Sequence, residues 1–203
     1  MPGGLADVMA LARTLGRRDP YIHFHSQRVA FYAEALAERL GLGEQRRNEI
    51  RIAGLIHDIG KVAVPEAILR KPGPLTTEEE VVMRRHSEVG ADIIAGAGMW
   101  EIALWVRHLH ERIDGHGYPD GLAGEAIPIE SRILAAADAF EAMSSPRVYR
   151  AATPVKDVLA ELERECGAQF DARVVRPLRG LVGGGEGERG GRFGRRIAAT
   201  VNS

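Results

Sequence analysis

Along most of the chain apolar residues return every three or four positions, and nowhere do they alternate with polar ones long enough to predict a strand. Val29, Ala33, Leu36 and Leu40 fall on one helical face, and the pattern stops at Gly41-Leu42-Gly43, a C-terminal signal. A second helix is expected through Ile50, Ala53 and Gly54 to His57. Pro65 opens a short one that ends before the turn Lys71-Pro72-Gly73-Pro74. Thr76 and Glu79 form a capping box for a helix carrying Val82 and His86. Another spans about Trp100 to His110, followed by a Gly- and Pro-rich loop from Arg112 to Ile127. Pro128 restarts the chain as a helix through Ile133, Leu134 and Asp138, and Thr153-Pro154 and Asp171 open the last two. The expected fold is all-α: a single compact helical bundle.

Composition narrows the picture. A chain of 203 residues, 45% of them hydrophobic, can bury one substantial core, so one domain is expected. The formal net charge of -1 gives no support for a general nucleic-acid or membrane surface. A single cysteine, Cys166, excludes a disulfide framework and Cys-rich zinc sites and fits a reducing compartment. Met1 to Gly16 lacks the apolar run of a signal peptide or span, so a cytoplasmic location is expected. The chain divides into an N-terminal extension (1–18), a helical domain (19–182) and a tail (183–203) whose Gly, Arg and Glu content predicts disorder. No internal repeat is found.

The chemistry lies in the histidines and aspartates. The dipeptide His57-Asp58 is weak alone, since a shuffled chain of this composition would contain it about one time in three. Its neighbours change the odds. On the expected elements His25 begins a helix, His57-Asp58 ends one, His86 and His110 fall late in two others, and Asp138 lies inside another. Rigid helices can bring such groups to one interior point. Asp138, flanked by Leu134 to Ala137 and Ala139, reads as buried and needs a partner or a metal. Imidazoles and carboxylates without thiolate suit manganese, iron(II), nickel or zinc rather than calcium.

These residues sit in blocks that resemble one family. His25-Ser26-Gln27-Arg28-Val29-Ala30 is similar to the opening motif of HD-GYP domains, and Leu55-Ile56-His57-Asp58-Ile59-Gly60-Lys61 to their central motif. Lys71 to Thr76, His86 and Gly90 continue it; His110-Glu111-Arg112-Ile113-Asp114-Gly115-His116-Gly117-Tyr118-Pro119 carries the Gly-Tyr-Pro signature. Asp138 to Arg150 resembles the last motif and Phe170-Asp171 a closing one. The resemblance runs from about Asp19 to Leu181.

It implies a metal-dependent phosphodiesterase that hydrolyses cyclic di-GMP to pGpG or GMP. His25, His57, Asp58 and Asp138 match ligands of one divalent transition metal ion, with iron or manganese foremost and nickel or zinc as alternatives. Asp58 would bridge to a second ion, held also by His86 and His110. Lys61 matches a lysine reaching the substrate phosphate, and Arg147 and Arg150 match phosphate-binding residues, which without the motif would read as a solvated pair. Tyr118 lies in a loop that would line the site and that the family also uses toward partners such as diguanylate cyclases.

The chain departs from the pattern at three places. Leu109 stands where the family has the first of two metal-binding histidines, Ile113 replaces an aromatic, and Tyr21 stands where three-metal members carry Glu, pointing to two metals. His108 sits two helical positions from His110, about 200° around, and reads as a partly exposed helix residue rather than a substitute ligand. His23 and His116 read as ordinary histidines. Leu109 keeps open a catalytically weak module that binds metal and nucleotide, and an enzyme for another nucleotide is the remaining alternative.

Overall fold

The computed structural model describes residues 4–18, 20–146 and 152–182. Among these the chain forms ten α-helices, two short 3-10 helices and no strand, so the all-α expectation holds. The helices are α1 (Leu5–Arg18), α2 (Pro20–Arg39), α3 (Glu44–Ile56), α4 (Glu66–Leu69), α5 (Thr77–Arg84), α6 (His86–Gly96), α7 (Trp100–Arg107), α8 (Ile129–Ser144), α9 (Val155–Arg164) and α10 (Ala172–Val182). None is long and apolar enough to cross a membrane.

α2 is the central element, packed against α3, α8, α1 and α10. Its predicted apolar face is real: Val29, Ala33 and Leu36 have no exposed surface and meet Ile50, Ile56, Trp105, Ile133, Leu134 and Phe140 in one core. Each such large side chain contributes roughly 1.5–3 kcal/mol by leaving water. Two glycines let backbones touch where the site needs it. A Cβ on Gly54 would lie 2.6 Å from Ala30 Cα, so α3 lies directly on α2. A Cβ on Gly60 would lie 1.9 Å from His86 O, so the 3-10 helix Ile59–Ala63, one residue after Asp58, packs against the start of α6.

Three local expectations are corrected. His25 does not begin a helix: α2 starts at Pro20 and carries His25 in its second turn. The helix opened by the Thr76/Glu79 capping box stops at Arg84, and His86 starts a new one. The last carbonyls of α5 accept from side chains instead of continuing the ladder: Met83 O from His86 Nδ1 at 2.7 Å, Arg84 O from Ser87 Oγ at 3.0 Å. α7 ends at Arg107, and His108 to His110 form a turn whose amides reach back only three residues at Leu109 and Glu111. The N-terminal extension, given no element from the sequence, carries α1 and buries Val8 and Leu15.

Candidate metal centre

Four elements and one turn converge. α2 supplies His25; the end of α3 supplies His57 and, one residue on, Asp58; α6 supplies His86; the turn after α7 supplies His110; α8 supplies Asp138. All six expected ligands therefore meet. His25 Nε2 lies 3.1 Å from Asp138 Oδ1 and 4.0 Å from Asp58 Oδ2. His57 Nε2 lies 3.5 Å from Asp58 Oδ2 and 3.9 Å from Asp138 Oδ1. On the other side, His86 Nε2 lies 3.9 Å from Asp58 Oδ1 and 3.0 Å from His110 Nε2. Asp58 thus turns one oxygen to each group. Asp138 is less enclosed than its apolar flanks predicted, with 24% of its side chain exposed; with His110 and Tyr118 it lines a pocket of about 200 Å³. A larger groove, about 850 Å³, runs between α1, α2 and α3 and reaches Asp58 and Ile59.

The donor set fits divalent metal. His57 Nδ1 donates to Gly54 O at 2.8 Å and His86 Nδ1 to Met83 O at 2.7 Å, leaving Nε2 of each ring with its lone pair toward the cluster. The ligand atoms of His25, His57 and Asp58 lie within 4.8 Å of one another. Two imidazole nitrogens 3.0 Å apart can share one proton at most, and a cation satisfies both. Nitrogen and oxygen donors without sulfur suit a borderline transition ion.

Electrostatics divide along the same line. Burial alone would raise the Asp58 carboxyl, but Lys61 and the surrounding histidines hold it well below the usual range. Burial likewise opposes the charge on Asp138, and the His25 hydrogen bond with His57 nearby outweighs it. For His25, burial disfavours the cation, yet Asp138 and Glu141 raise it to about 9. His110 goes the other way, pushed to about 3 by burial and by His86, and His86 itself is lowered, chiefly by burial.

Lys61 Nζ lies 2.7 Å from Asp58 Oδ2 with about a quarter of its side chain exposed, at the rim of the centre. Tyr118 stacks on His110, ring centroids 5.0 Å apart and 20° between planes, while its N–H donates to His110 O. Arg147 and Arg150 lie outside the described residues. Leu109 is 1% exposed and belongs to the core. His23 and His116 are exposed.

His108 is a correction. It is 7% exposed rather than partly open, and its Nε2 meets Asp120 Oδ2 at 2.8 Å instead of joining the cluster. Arg107 grips the same carboxylate with two hydrogen bonds, and buried Glu111 accepts from the amides of Asp120 and Leu122. This network ties the Gly-Tyr-Pro loop to the end of α7. The helical angle assumed for His108 does not apply, because α7 has already ended.

Two further residues were missed. Arg84 places its guanidinium over the Tyr118 ring, 5.1 Å from the centroid, at the edge of the smaller pocket; no sequence signal distinguishes it from other helix arginines. Glu141 is fully buried against His25. Its signal was the spacing of three from Asp138, which puts both carboxylates on one face of α8.

An HD domain matches residues 10–174, and the chain belongs to the HD domain family. Within it, the chain is 43% identical over 171 residues to a cyclic di-GMP phosphodiesterase response regulator of Xanthomonas campestris pv. campestris, covering 83% of this chain and 45% of that protein. It is 37% identical to a 3'3'-cGAMP-specific phosphodiesterase of Vibrio cholerae, over 82% of this chain and 39% of the relative. The chain spans about half the length of the curated relatives it matches, or less. An HDG"Y"P protein of Bdellovibrio bacteriovorus shares the fold with a TM-score of 0.66 at 18% identity, over 80% of this chain and 53% of that one. The relatives bear out the HD-GYP resemblance read from the motifs.

Proposed function

We propose that the cluster holds two divalent transition metal ions, iron or manganese before nickel or zinc, and that the protein hydrolyses a phosphodiester bond of cyclic di-GMP to give pGpG or GMP. The observation that carries this reading is the division of Asp58: Oδ2 faces His25 and His57, Oδ1 faces His86. On it, His25, His57 and Asp138 would hold one ion, His86 and His110 the other, with Asp58 between them. When bound, such a pair supplies an acidified water near neutral pH and charge to offset the phosphoryl oxygens. The chain's own residues do the rest. Lys61, already at the rim, would turn its ammonium from Asp58 to a phosphate oxygen. Tyr118 would hold His110 and line the smaller pocket with Arg84. Arg147 and Arg150 would bind phosphate.

Substrate choice belongs to the same proposal. Relatives named for cyclic di-GMP and for 3'3'-cGAMP match with comparable coverage, so a second cyclic dinucleotide is the specific alternative. Partners such as diguanylate cyclases would meet the loop presenting exposed His116, and a cytoplasmic location fits the single cysteine. The test is anaerobic loading with iron(II) or Mn²⁺, metal counting, and chromatography of products from cyclic di-GMP, 3'3'-cGAMP and cyclic di-AMP. Conversion of cyclic di-GMP, fastest with two metals per chain, is expected. Binding of metal and nucleotide without turnover would replace this reading by the signalling-module one.

A further inference from the structure

Glu141 has no exposed surface and sits among donors. Its Oε1 accepts from Arg28 Nε at 2.6 Å and from Ser145 Oγ at 2.6 Å, which leaves Oε2 to His25 Nδ1. His25 and Arg28 are three apart on α2, and Asp138 and Glu141 are three apart on α8. Each pair therefore shares one helical face, and the two faces meet. The result is a ring gripped at both nitrogens: Glu141 at Nδ1, Asp138 at Nε2. His57 and His86 are oriented by backbone carbonyls, Gly54 O and Met83 O. His25 is oriented by a carboxylate, a stronger acceptor that keeps the proton on Nδ1 and makes Nε2 a better donor to a cation.

We infer that Glu141 is a positioning residue of the metal centre, fixing His25 with Nε2 toward the ion, and that Arg28 and Ser145 hold Glu141 in that task. The inference rests on reading the cluster as a metal centre. Glu141 touches neither substrate nor the reacting atoms. Its effect belongs to the affinity of the His25 half.

The test is metal competition against a chelator of known affinity, using Mn²⁺ and Zn²⁺ in turn, on the wild type, Glu141→Gln and Glu141→Asp, with each protein's folded fraction measured. Gln keeps the volume but has one acceptor oxygen for two cationic or N–H donors, His25 and Arg28. It is expected to weaken the tighter metal by about 10- to 100-fold. Asp keeps both oxygens on a shorter stem and should fall between. Nitrogen spectra of zinc-loaded, histidine-labelled protein should show His25 as the single Nδ1–H tautomer in the wild type and a mixture in Glu141→Gln. If Glu141→Gln melts lower yet binds metal as the wild type does, with His25 unchanged, Glu141 merely packs and the inference fails. Should Glu141→Gln not fold, Glu141→Asp decides alone: a few-fold weakening sustains the inference and wild-type affinity overturns it. A wild type that binds no metal overturns this inference together with the metal-centre reading, an outcome distinct from bound metal with unchanged affinity.

Discussion

Asp58 faces two unlike halves of one centre. On its Oδ2 side lie His25, His57 and Asp138, backed by Glu141 and Arg28, a half rich in carboxylates that keeps a proton on His25 up to about 9. On its Oδ1 side lie His86 and His110, with Leu109 and Tyr118 around His110 and Asp138 facing it across the smaller pocket without a hydrogen bond between them. There burial wins and His110 resists protonation down to about 3. The same side chain type becomes a cation in one half and a neutral ligand in the other, because a nearby carboxylate offsets the cost of burying charge and a neighbouring imidazole adds to it. The carboxylate half is built to hold a metal tightly. The imidazole half holds His86 by its hydrogen bond to Met83 O and His110 by packing against Tyr118.

Removing the shared group should have the largest effect. Asp58→Ala is expected to empty both halves and lower the stability of the metal-free protein by about 3 kcal/mol, since Lys61 and the histidines lose their buried counter-charge. Elemental analysis and urea unfolding check this; full occupancy would end the idea of one divided centre. Gly60→Ala should act on one half. Its Cβ would collide with the backbone at His86 O and Gly90 N, costing about 3 kcal/mol and displacing His86 while His25 and His57 keep their places. One metal per chain retained instead of two is the expected count.

Leu109→His tests whether the weaker half lacks a ligand. In metal-free protein a polar ring at this buried position should cost about 1–3 kcal/mol. Binding should reverse that cost, so metal should raise the variant's melting temperature more than the wild type's, and the second ion should leave more slowly on dialysis. Equal retention in both proteins would show that water completes the wild-type site. A smaller loss, about 1 kcal/mol, is expected for Tyr118→Ala, which removes the ring stacked on His110, and very little for Tyr118→Phe. Chelator competition that distinguishes the two ions should place the Tyr118→Ala defect in the second.

The smallest effect is on pH dependence without metal. The raised His25 contributes stability that is fully present below its ordinary value of 6.5 and is lost as pH climbs toward about 9. The lowered His110 contributes instability as pH falls from 6.5 toward about 3, because the unfolded chain takes up a proton that the folded one refuses. Stripped protein should therefore melt highest near pH 6.5, and added Zn²⁺ should flatten the alkaline side. Calorimetry across pH with and without metal would show it; a maximum above pH 9 would contradict the assignment.

The sequence by itself determined the helical class, most helix starts and all six clustered residues, because helical periodicity, capping boxes and proline placement are local and the ligand motifs are contiguous or closely spaced. It could not decide where α5 gives way to α6 or that α7 stops before His108: at the first break the His86 and Ser87 side chains turn back on carbonyls three residues away, which the apolar periodicity does not report, and past the second Glu111 takes the amides of a loop that folding lays beside it. Nor could it tell Arg84 from a surface cation, and the spacing of Glu141 from Asp138 gave a shared face of α8 without saying what that face would meet. Which face of α8 meets α2, and which arginine overhangs Tyr118, are settled by packing between segments more than a hundred and about thirty residues apart. Tertiary structure alone divided Asp58 between two surroundings, because burial and facing charge exist only after the helices have met.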